Sequence, residues 1–170
     1  YCEDLKKRGF ETLVREQTGL VIDAYFSGTK IKWILDNVPG IMDRVKEHRV
    51  CMGTIDSWLV QRMCGEHVTD LTNASRTMLF DTGELRWDPE LCTVFGVDPS
   101  SLPTVQPSAG IFGTTTGFGG EVPVAGIAGD QQAALFGQAC HQPGMAKNTY
   151  GTGSFVLLNA GEEKPDPGEG

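Results

Sequence analysis

The sequence predicts an α/β fold, and two features of its pattern support that prediction. Residues 122–129 form an uncharged run of small and apolar side chains, typical of a buried strand, which stops at Asp130 where helical composition begins. Residues 147–150 and 155–158 have the pattern of two strands joined as a hairpin around a glycine-rich turn. Earlier in the chain, apolar residues recur at helical spacing.

The first part of the chain is predicted to be helical. Apolar spacing predicts short helices over residues 1–8 and 10–18, each followed by a glycine. A third helix is expected from residue 28 to about residue 37. The side chain of Ser27 is its expected N-cap, and Trp33 is expected to lie in the core.

A Pro-Gly pair then predicts a break, followed by a helix to about His48 and a short strand over residues 49–53. The next helix is expected to begin after a Thr54 cap and to end at Gly65. The apolar spacing predicts a core-facing stripe made of Ile55, Trp58, Leu59 and Met63.

The middle of the chain is less regular. Residues 68–77 have the composition of a polar connection, and short strands are expected over 78–80 and 84–87. Asp88 is expected to cap a helix with proline in its first turn, a position that proline favours. Residues 97–120 are rich in Pro, Ser, Thr and Gly and are expected to wrap a surface with little core.

Composition excludes several classes of function. A net charge of −8 without a run of Lys or Arg argues against nucleic-acid binding. No apolar run reaches the roughly 20 residues that span a membrane. Five scattered cysteines without a Cys-x-x-Cys pair favour buried thiols in a reducing compartment, so a cytoplasmic location is expected.

The ends of the chain suggest that it is a piece of a larger protein. It starts without Met inside a helical pattern, and residues 161–170 form a polar Gly/Pro tail.

Asp130 is the first candidate for a functional residue. α/β sheets bind ligands at the carboxyl ends of their strands, where the pattern puts this residue, so it is a candidate catalytic base. An Asp at the start of a helix also makes a good cap, and the two roles have equal weight. Tyr25 also has two possible roles. Packing in the core is favoured, and the alternative is that its ring forms a wall of a small-molecule pocket.

The turn Gly151-Thr152-Gly153-Ser154 is the second candidate site. Its glycines allow a tight turn and a close approach of ligand to backbone, and its N–H groups and hydroxyls suit phosphate. The signal is weak alone, since most glycine-rich hairpin turns bind nothing.

Four segments match one family in the same order along the chain: residues 23–30 (DAYFSGTK), 72–77 (TNASRT), 129–138 (GDQQAALFGQ) and 148–153 (NTYGTG). With the signature-like run 25–37, they resemble the FGGY carbohydrate kinases and, among these, the glycerol kinases. The resemblance extends from end to end. It implies the two-lobed actin-like (ribonuclease H-like) fold, with residues 1–140 as the later part of the N-terminal lobe and 141–170 as the first hairpin of the C-terminal lobe.

The resemblance also implies an activity, transfer of the γ-phosphoryl group of MgATP to glycerol to give sn-glycerol 3-phosphate. It makes Asp130 the general base and assigns Tyr25, Asp130, Gln131 and Phe155 to the glycerol site. Gly151, Thr152 and Gly153 would meet the nucleotide phosphates. The magnesium ligand, the adenine pocket and part of the polyol pocket are expected outside this chain, which alone is expected to be inactive. A homo-oligomer is expected for the full-length protein.

Two other functions remain open. One is a different FGGY kinase acting on a pentulose or similar sugar, and the other is a non-catalytic actin-like binding module. The sequence also departs from the family at Gly119-Gly120-Glu121, where some relatives carry a Gly-x-Arg that binds fructose 1,6-bisphosphate. An acidic side chain there repels phosphate, so that regulation is not expected.

Overall fold

The computed structural model describes residues 1–165, so the end of the predicted tail, residues 166–170, lies outside the described residues. The helices of the described part are α1 (Cys2–Lys7), α2 (Glu11–Thr18), α3 (Ser27–Asn37), α4 (Ile41–Lys46), α5 (Ile55–Cys64), α6 (Leu71–Ala74), α7 (Pro89–Phe95) and α8 (Asp130–Gly137). The strands are β1 (Val68–Asp70), β2 (Phe80–Asp81), β3 (Arg86–Trp87), β4 (Thr104–Gln106), β5 (Ala109–Thr115), β6 (Val122–Gly126), β7 (Ala146–Tyr150) and β8 (Ser154–Leu158). The chain divides into two compact units, Tyr1–Ile127 and Ala128 onward, and each is described by itself.

In the described residues, the strands form four two-stranded sheets. β1 and β4 are parallel, with Asp70 opposite Gln106. The pairs β2–β3, β5–β6 and β7–β8 are antiparallel. The parallel pair is the structural reason for the α/β class, because its two strands are joined by a long crossover through α6 and α7.

The main core of the first unit lies between its helices. α3 turns Gly28, Ile31 and Leu35 inward. The N–H of Gly28 donates to the Thr77 carbonyl at 2.7 Å, and a Cβ at this position would come within 2.9 Å of that oxygen. This close approach sets the rotation of the helix, and Trp33, expected in the core, is instead exposed.

The apolar stripe of α5, predicted to face the core, instead faces solvent. Ile55, Trp58, Leu59 and Met63 are exposed, whereas Asp56, Ser57 and Val60 are buried. The Asp56 carboxylate accepts hydrogen bonds from the hydroxyls of Thr54 and Thr69, the latter at 2.6 Å. These hydrogen bonds hold the Asp56 face of α5 toward the interior, although the apolar spacing predicts that the opposite face is buried.

Helix ends follow the local signals more closely than helix faces do. Gly65 and Gly96 end α5 and α7 in the left-handed conformation that glycine favours. Asp88 caps α7 by accepting from the Leu91 N–H at 2.7 Å. The expected Ser27 cap is wrong, because α3 begins at Ser27 itself. Thr54 is the N-cap residue of α5 as expected, but its hydroxyl donates to Asp56 and makes no capping bond.

Three expectations about strands and loops are also corrected. Residues 49–53 contain no strand; the Met52 N–H donates to the Ser101 carbonyl at 2.7 Å, and the Met52 carbonyl lies 3.0 Å from the His67 Nε2 atom. The polar connection 68–77 holds β1 and α6, and the segment 97–120, expected to carry little core, buries Leu102 and Phe112. β1 and α6 have only three and four residues, too few for hydrophobic periodicity to reveal them.

The strand before Asp130 exists but is not buried. Among residues 1–165, β6 pairs with β5 and with no other strand, and its residues are exposed or half-buried, including Val122. Within the first unit, Val124 and Ile127 pack against the small cluster of Val60, Val68 and Phe112. The predicted change from strand to helix is confirmed, since β6 ends at Gly126 and α8 begins at Asp130.

Candidate active site

Asp130 is the first residue of α8, and Gly129 is the N-cap. The Asp130 carboxylate is exposed and accepts no capping bond from the helix backbone. Its Oδ2 atom instead accepts a hydrogen bond from the Gln131 amide nitrogen at 3.2 Å. The expectation that this side chain serves as a cap is therefore wrong, and the carboxylate is available for other contacts.

The hairpin β7–β8 presents one face to α8. Lys147 and Thr149 alternate along β7 on this face, and they lie opposite Leu157 and Phe155 in the register of β8. The Lys147 Nζ donates to the Gln131 Oε1 and, at 2.7 Å, to the Thr149 hydroxyl. A continuous line of hydrogen bonds thus runs from Thr149 through Lys147 and Gln131 to Asp130.

The contacts of Lys147 and Gln131 have a sequence separation of 16 residues. Sequence reasoning named Gln131 but missed Lys147, since a single Lys in a strand pattern carries no signal of its own. The strand alternation that places Lys147 on the inner face was the only available clue.

The turn Gly151-Thr152-Gly153 is exposed. It is closed by a hydrogen bond of 2.8 Å from the Gly151 N–H to the Gly153 carbonyl. Neither glycine has the positive φ that only glycine adopts readily, and a methyl group at Gly151 would meet no atom within 4 Å. Backbone strain and crowding therefore do not explain glycine at position 151. The backbone at this position is open to solvent.

Phe155 lies directly opposite Thr149, beside the line of hydrogen bonds. Its ring remains 40% exposed. It offers a flat apolar surface on the same unit as Asp130, Gln131 and the glycine turn.

Tyr25 belongs to the first unit and is 60% exposed, so the core role favoured for it is wrong. Its N–H donates to the Asp23 carboxylate at 2.7 Å, and its carbonyl accepts from Lys30 at 2.8 Å. The ring stands edge-on to Phe26, with centroids 5.3 Å apart. Phe26 is buried, so of this aromatic pair only Tyr25 is available to a ligand.

A buried carboxylate that the sequence did not reveal lies at the end of β1. Asp70 is 0% exposed and accepts from the backbone N–H groups of Thr72 and Asn73, each at 3.0 Å. It also accepts from three side chains, at 2.6 Å from Thr72, 2.7 Å from Asn73 and 2.7 Å from Ser108. Burial by itself raises the pKa of Asp70, but the hydrogen bonds from Ser108, Thr72 and Asn73 outweigh it and lower the pKa.

The five hydrogen bonds to the Asp70 carboxylate thus join the end of β1 to α6 and to Ser108, the residue before β5. Its role is structural, in contrast to the exposed Asp130.

The described residues show no metal-binding cluster and no membrane-spanning helix. Residues 1–165 hold no group of three or more His, Cys, Asp or Glu placed to bind a metal ion. No helix in that part of the chain is long and apolar enough to cross a membrane.

Comparison with known proteins identifies the family. Residues 1–137 match the N-terminal domain of the FGGY family of carbohydrate kinases. The chain is 55% identical to glycerol kinase 2 of Thermotoga maritima over 166 residues and 59% identical to the glycerol kinase of Aeromonas hydrophila over 165 residues. Each alignment covers 95% of this chain but only 34% and 33% of the relative. The chain therefore spans about a third of the length of these relatives.

Solved structures agree on the fold. The glycerol kinase of Plasmodium falciparum, determined with ADP, superposes with a TM-score of 0.88 at 34% identity, covering 92% of this chain and 32% of that one. The xylulose kinase of Lactobacillus acidophilus superposes with a TM-score of 0.76 at 19% identity, covering 91% and 32%, which supports the fold alone. The fold is the actin-like fold of these sugar kinases. From these matches, the chain belongs to the FGGY family of carbohydrate kinases.

Proposed function

We propose that this chain is part of an ATP-dependent glycerol kinase and that Asp130 is its general base. The observation that carries the proposal is the state of the Asp130 carboxylate, which is exposed, not used as a cap, and held by the Gln131 amide. An alcohol is a poor nucleophile, and a carboxylate within about 3 Å can accept its proton as the new bond forms. Relatives that share more than half of the aligned residues are glycerol kinases.

The proposed reaction is an in-line phosphoryl transfer. The terminal hydroxyl oxygen of glycerol forms a bond to the γ-phosphorus of ATP while the bond from that phosphorus to the β–γ bridging oxygen breaks. The hydroxyl proton passes to Asp130, and ADP leaves with the bridging oxygen. Such a transfer depends mainly on alignment and on stabilisation of charge.

The other residues of the site serve alignment. Gln131 and Tyr25 offer hydrogen-bonding groups to the polyol hydroxyls, and Phe155 offers an apolar surface to its carbon atoms. The backbone of Gly151, Thr152 and Gly153 meets the phosphates of ATP. When bound, Mg²⁺ neutralises phosphate charge; the described residues include no cluster for it, so no ligand to the metal is assigned in this chain.

The proposal extends to organisation. Residues 1–140 are assigned to the N-terminal lobe and 141–170 to the start of the C-terminal lobe. Since the chain spans about a third of its relatives, we infer that these 170 residues alone do not phosphorylate glycerol. A cytoplasmic location and a homo-oligomeric assembly belong to the same proposal for the full-length protein.

Substrate profiling of the full-length protein that contains this chain tests the function. ADP release is measured with MgATP and glycerol, with a pentulose such as xylulose, and without an acceptor. We expect glycerol to give the highest kcat/KM and sn-glycerol 3-phosphate as product. A higher kcat/KM for the pentulose would favour a different sugar kinase, and no acceptor-dependent ADP release would favour a binding module.

The role of the glycine turn predicts the effect of Gly151→Ala. The added methyl group fits the fold, since it meets no atom within 4 Å, but it stands where the phosphates approach. We expect the KM for MgATP to rise roughly tenfold, equivalent to about 1.4 kcal/mol, with the melting temperature unchanged.

Steady-state kinetics of the full-length variant provide the measurement. Gly120→Ala is the matched control, because it adds a methyl group to another exposed hairpin loop with equal space. An unchanged KM for MgATP in Gly151→Ala would remove the turn from the nucleotide site.

A further inference from the structure

Lys147 is an unusual residue in the second unit. It is only 4% exposed, and lysines are almost never that buried unless they are paired with an acid. In residues 1–165 it forms no ion pair. Its Nζ donates to two neutral oxygens instead, those of the Gln131 amide and the Thr149 hydroxyl. Burial of a lysine on neutral partners is costly, and therefore calls for a reason beyond folding.

The chemistry of the two side chains determines how Gln131 is oriented. An ammonium group has N–H donors and no acceptor, whereas a glutamine amide has an oxygen on one side and an NH₂ on the other. A hydrogen bond between the two side chains therefore requires the Gln131 amide to turn its Oε1 atom toward Lys147. The NH₂ group then points away from Lys147, and it donates to Oδ2 of Asp130 at 3.2 Å.

The opposite orientation would place the amide oxygen against the carboxylate, and the two acceptors would repel each other. Lys147 prevents this arrangement, and Thr149, two residues further along the same face of β7, accepts a hydrogen bond from the Nζ group. Among residues 128–165, the hydrogen bond to the Asp130 carboxylate comes from Gln131 and is to Oδ2, not to Oδ1. The line of contacts thus occupies one carboxylate oxygen and leaves the other to a ligand.

We propose that Lys147 is a positioning residue that fixes the amide of Gln131, and through it the carboxylate of Asp130, for the attack of the polyol hydroxyl. This inference rests on the proposed function. Lys147 itself touches neither substrate in this scheme, and its effect passes through Gln131.

The first test is Lys147→Met in the full-length protein, which keeps the length and apolar stem of the side chain and removes the donors. Misplacement of a catalytic group by about 1 Å can cost about 100-fold. We expect kcat/KM for glycerol to fall roughly 10- to 100-fold. The KM for MgATP should stay within about twofold, because the glycine turn is flanked by the backbone pair Tyr150–Ser154, which the substitution does not alter. Lys147→Arg, which retains N–H donors, should recover part of the loss.

A double-mutant cycle with Gln131→Ala shows whether the effect passes through the amide. Once Gln131 is gone, Lys147→Met should cost little more. Lys46→Met, on the exposed side of α4, controls for the loss of a positive charge. An undiminished effect of Lys147→Met in the Gln131→Ala background, or an equal rise in both KM values, would overturn the proposal.

A crystal structure of the Lys147→Met variant gives a readout that does not depend on activity. We expect the Gln131 nitrogen to leave hydrogen-bond distance of Asp130 Oδ2. If the wild-type protein does not phosphorylate glycerol, the proposed function fails, and the crystal structure still decides the positioning role. A Gln131 side chain that stays in place without Lys147 would contradict the inference whatever the substrate is.

Discussion

Asp130→Asn is expected to lower the turnover number of the full-length protein by about 100- to 10,000-fold, the usual contribution of a general base. Asparagine keeps the size of the side chain and still accepts a hydrogen bond from Gln131, but it does not accept the hydroxyl proton. The N-terminus of α8 should persist, because Gly129 and not Asp130 is its N-cap. The loss should therefore appear in kcat, with the KM for MgATP nearly unchanged.

Coupled measurement of ADP release provides the test, with glycerol and MgATP varied separately. Asp43→Asn is the matched control, since Asp43 is also an exposed acid in the first turn of a helix, α4. That variant loses the same favourable interaction with the helix dipole and should retain full activity. Turnover of Asp130→Asn within about threefold of the wild type would rule out the general-base role of this residue.

Asp70→Ala is expected to give the largest loss of stability, about 3 kcal/mol in the free energy of local unfolding around β1. The substitution removes the cap of α6 and leaves the buried N–H groups of Thr72 and Asn73 without an acceptor. It also removes the hydrogen bond from the Ser108 hydroxyl, which links two segments 38 residues apart in sequence. Asp70→Asn should cost less, because the amide oxygen still accepts hydrogen bonds. Some stability is still lost, because the NH₂ group then faces a backbone N–H and both are donors.

Hydrogen exchange of peptides that contain residues 68–74 measures this loss in the full-length protein. Glu90→Ala, an exposed acid in the first turn of α7, is the control and should change exchange by less than about 0.5 kcal/mol. If β1 exchanges at the wild-type rate in Asp70→Ala, the hydrogen bonds of this carboxylate do not stabilise the strand.

The same residue predicts an acid dependence. The pKa of Asp70 is lowered in the folded protein, whereas in the unfolded chain it is about 3.9. Between the two values the unfolded state binds more protons, so stability rises with pH in that window. The contribution is complete above about pH 3.9 and is lost as pH falls through the folded pKa. Asp70→Asn should therefore flatten this part of the stability curve.

Local chemistry explains what could be predicted about the first unit. The helix ends at Gly65 and Gly96 and the cap at Asp88 could be predicted. Each depends on only a few neighbouring residues of backbone. The faces of α3 and α5 were not, since Trp33 and Trp58 are exposed despite their apolar character. The faces depend on contacts made far along the chain, such as the approach of Gly28 to Thr77.

The candidate site likewise has features that the sequence predicted and features that depend on tertiary contacts. The end of β6, the start of α8 at Asp130 and the hairpin around the glycine turn follow from composition and spacing, and the family follows from short motifs. That Asp130 is not a cap, and that Lys147 reaches Gln131, was decided only by tertiary structure. Backbone preferences are set by neighbouring residues, whereas the partner of a side chain depends on which segments the fold brings alongside it.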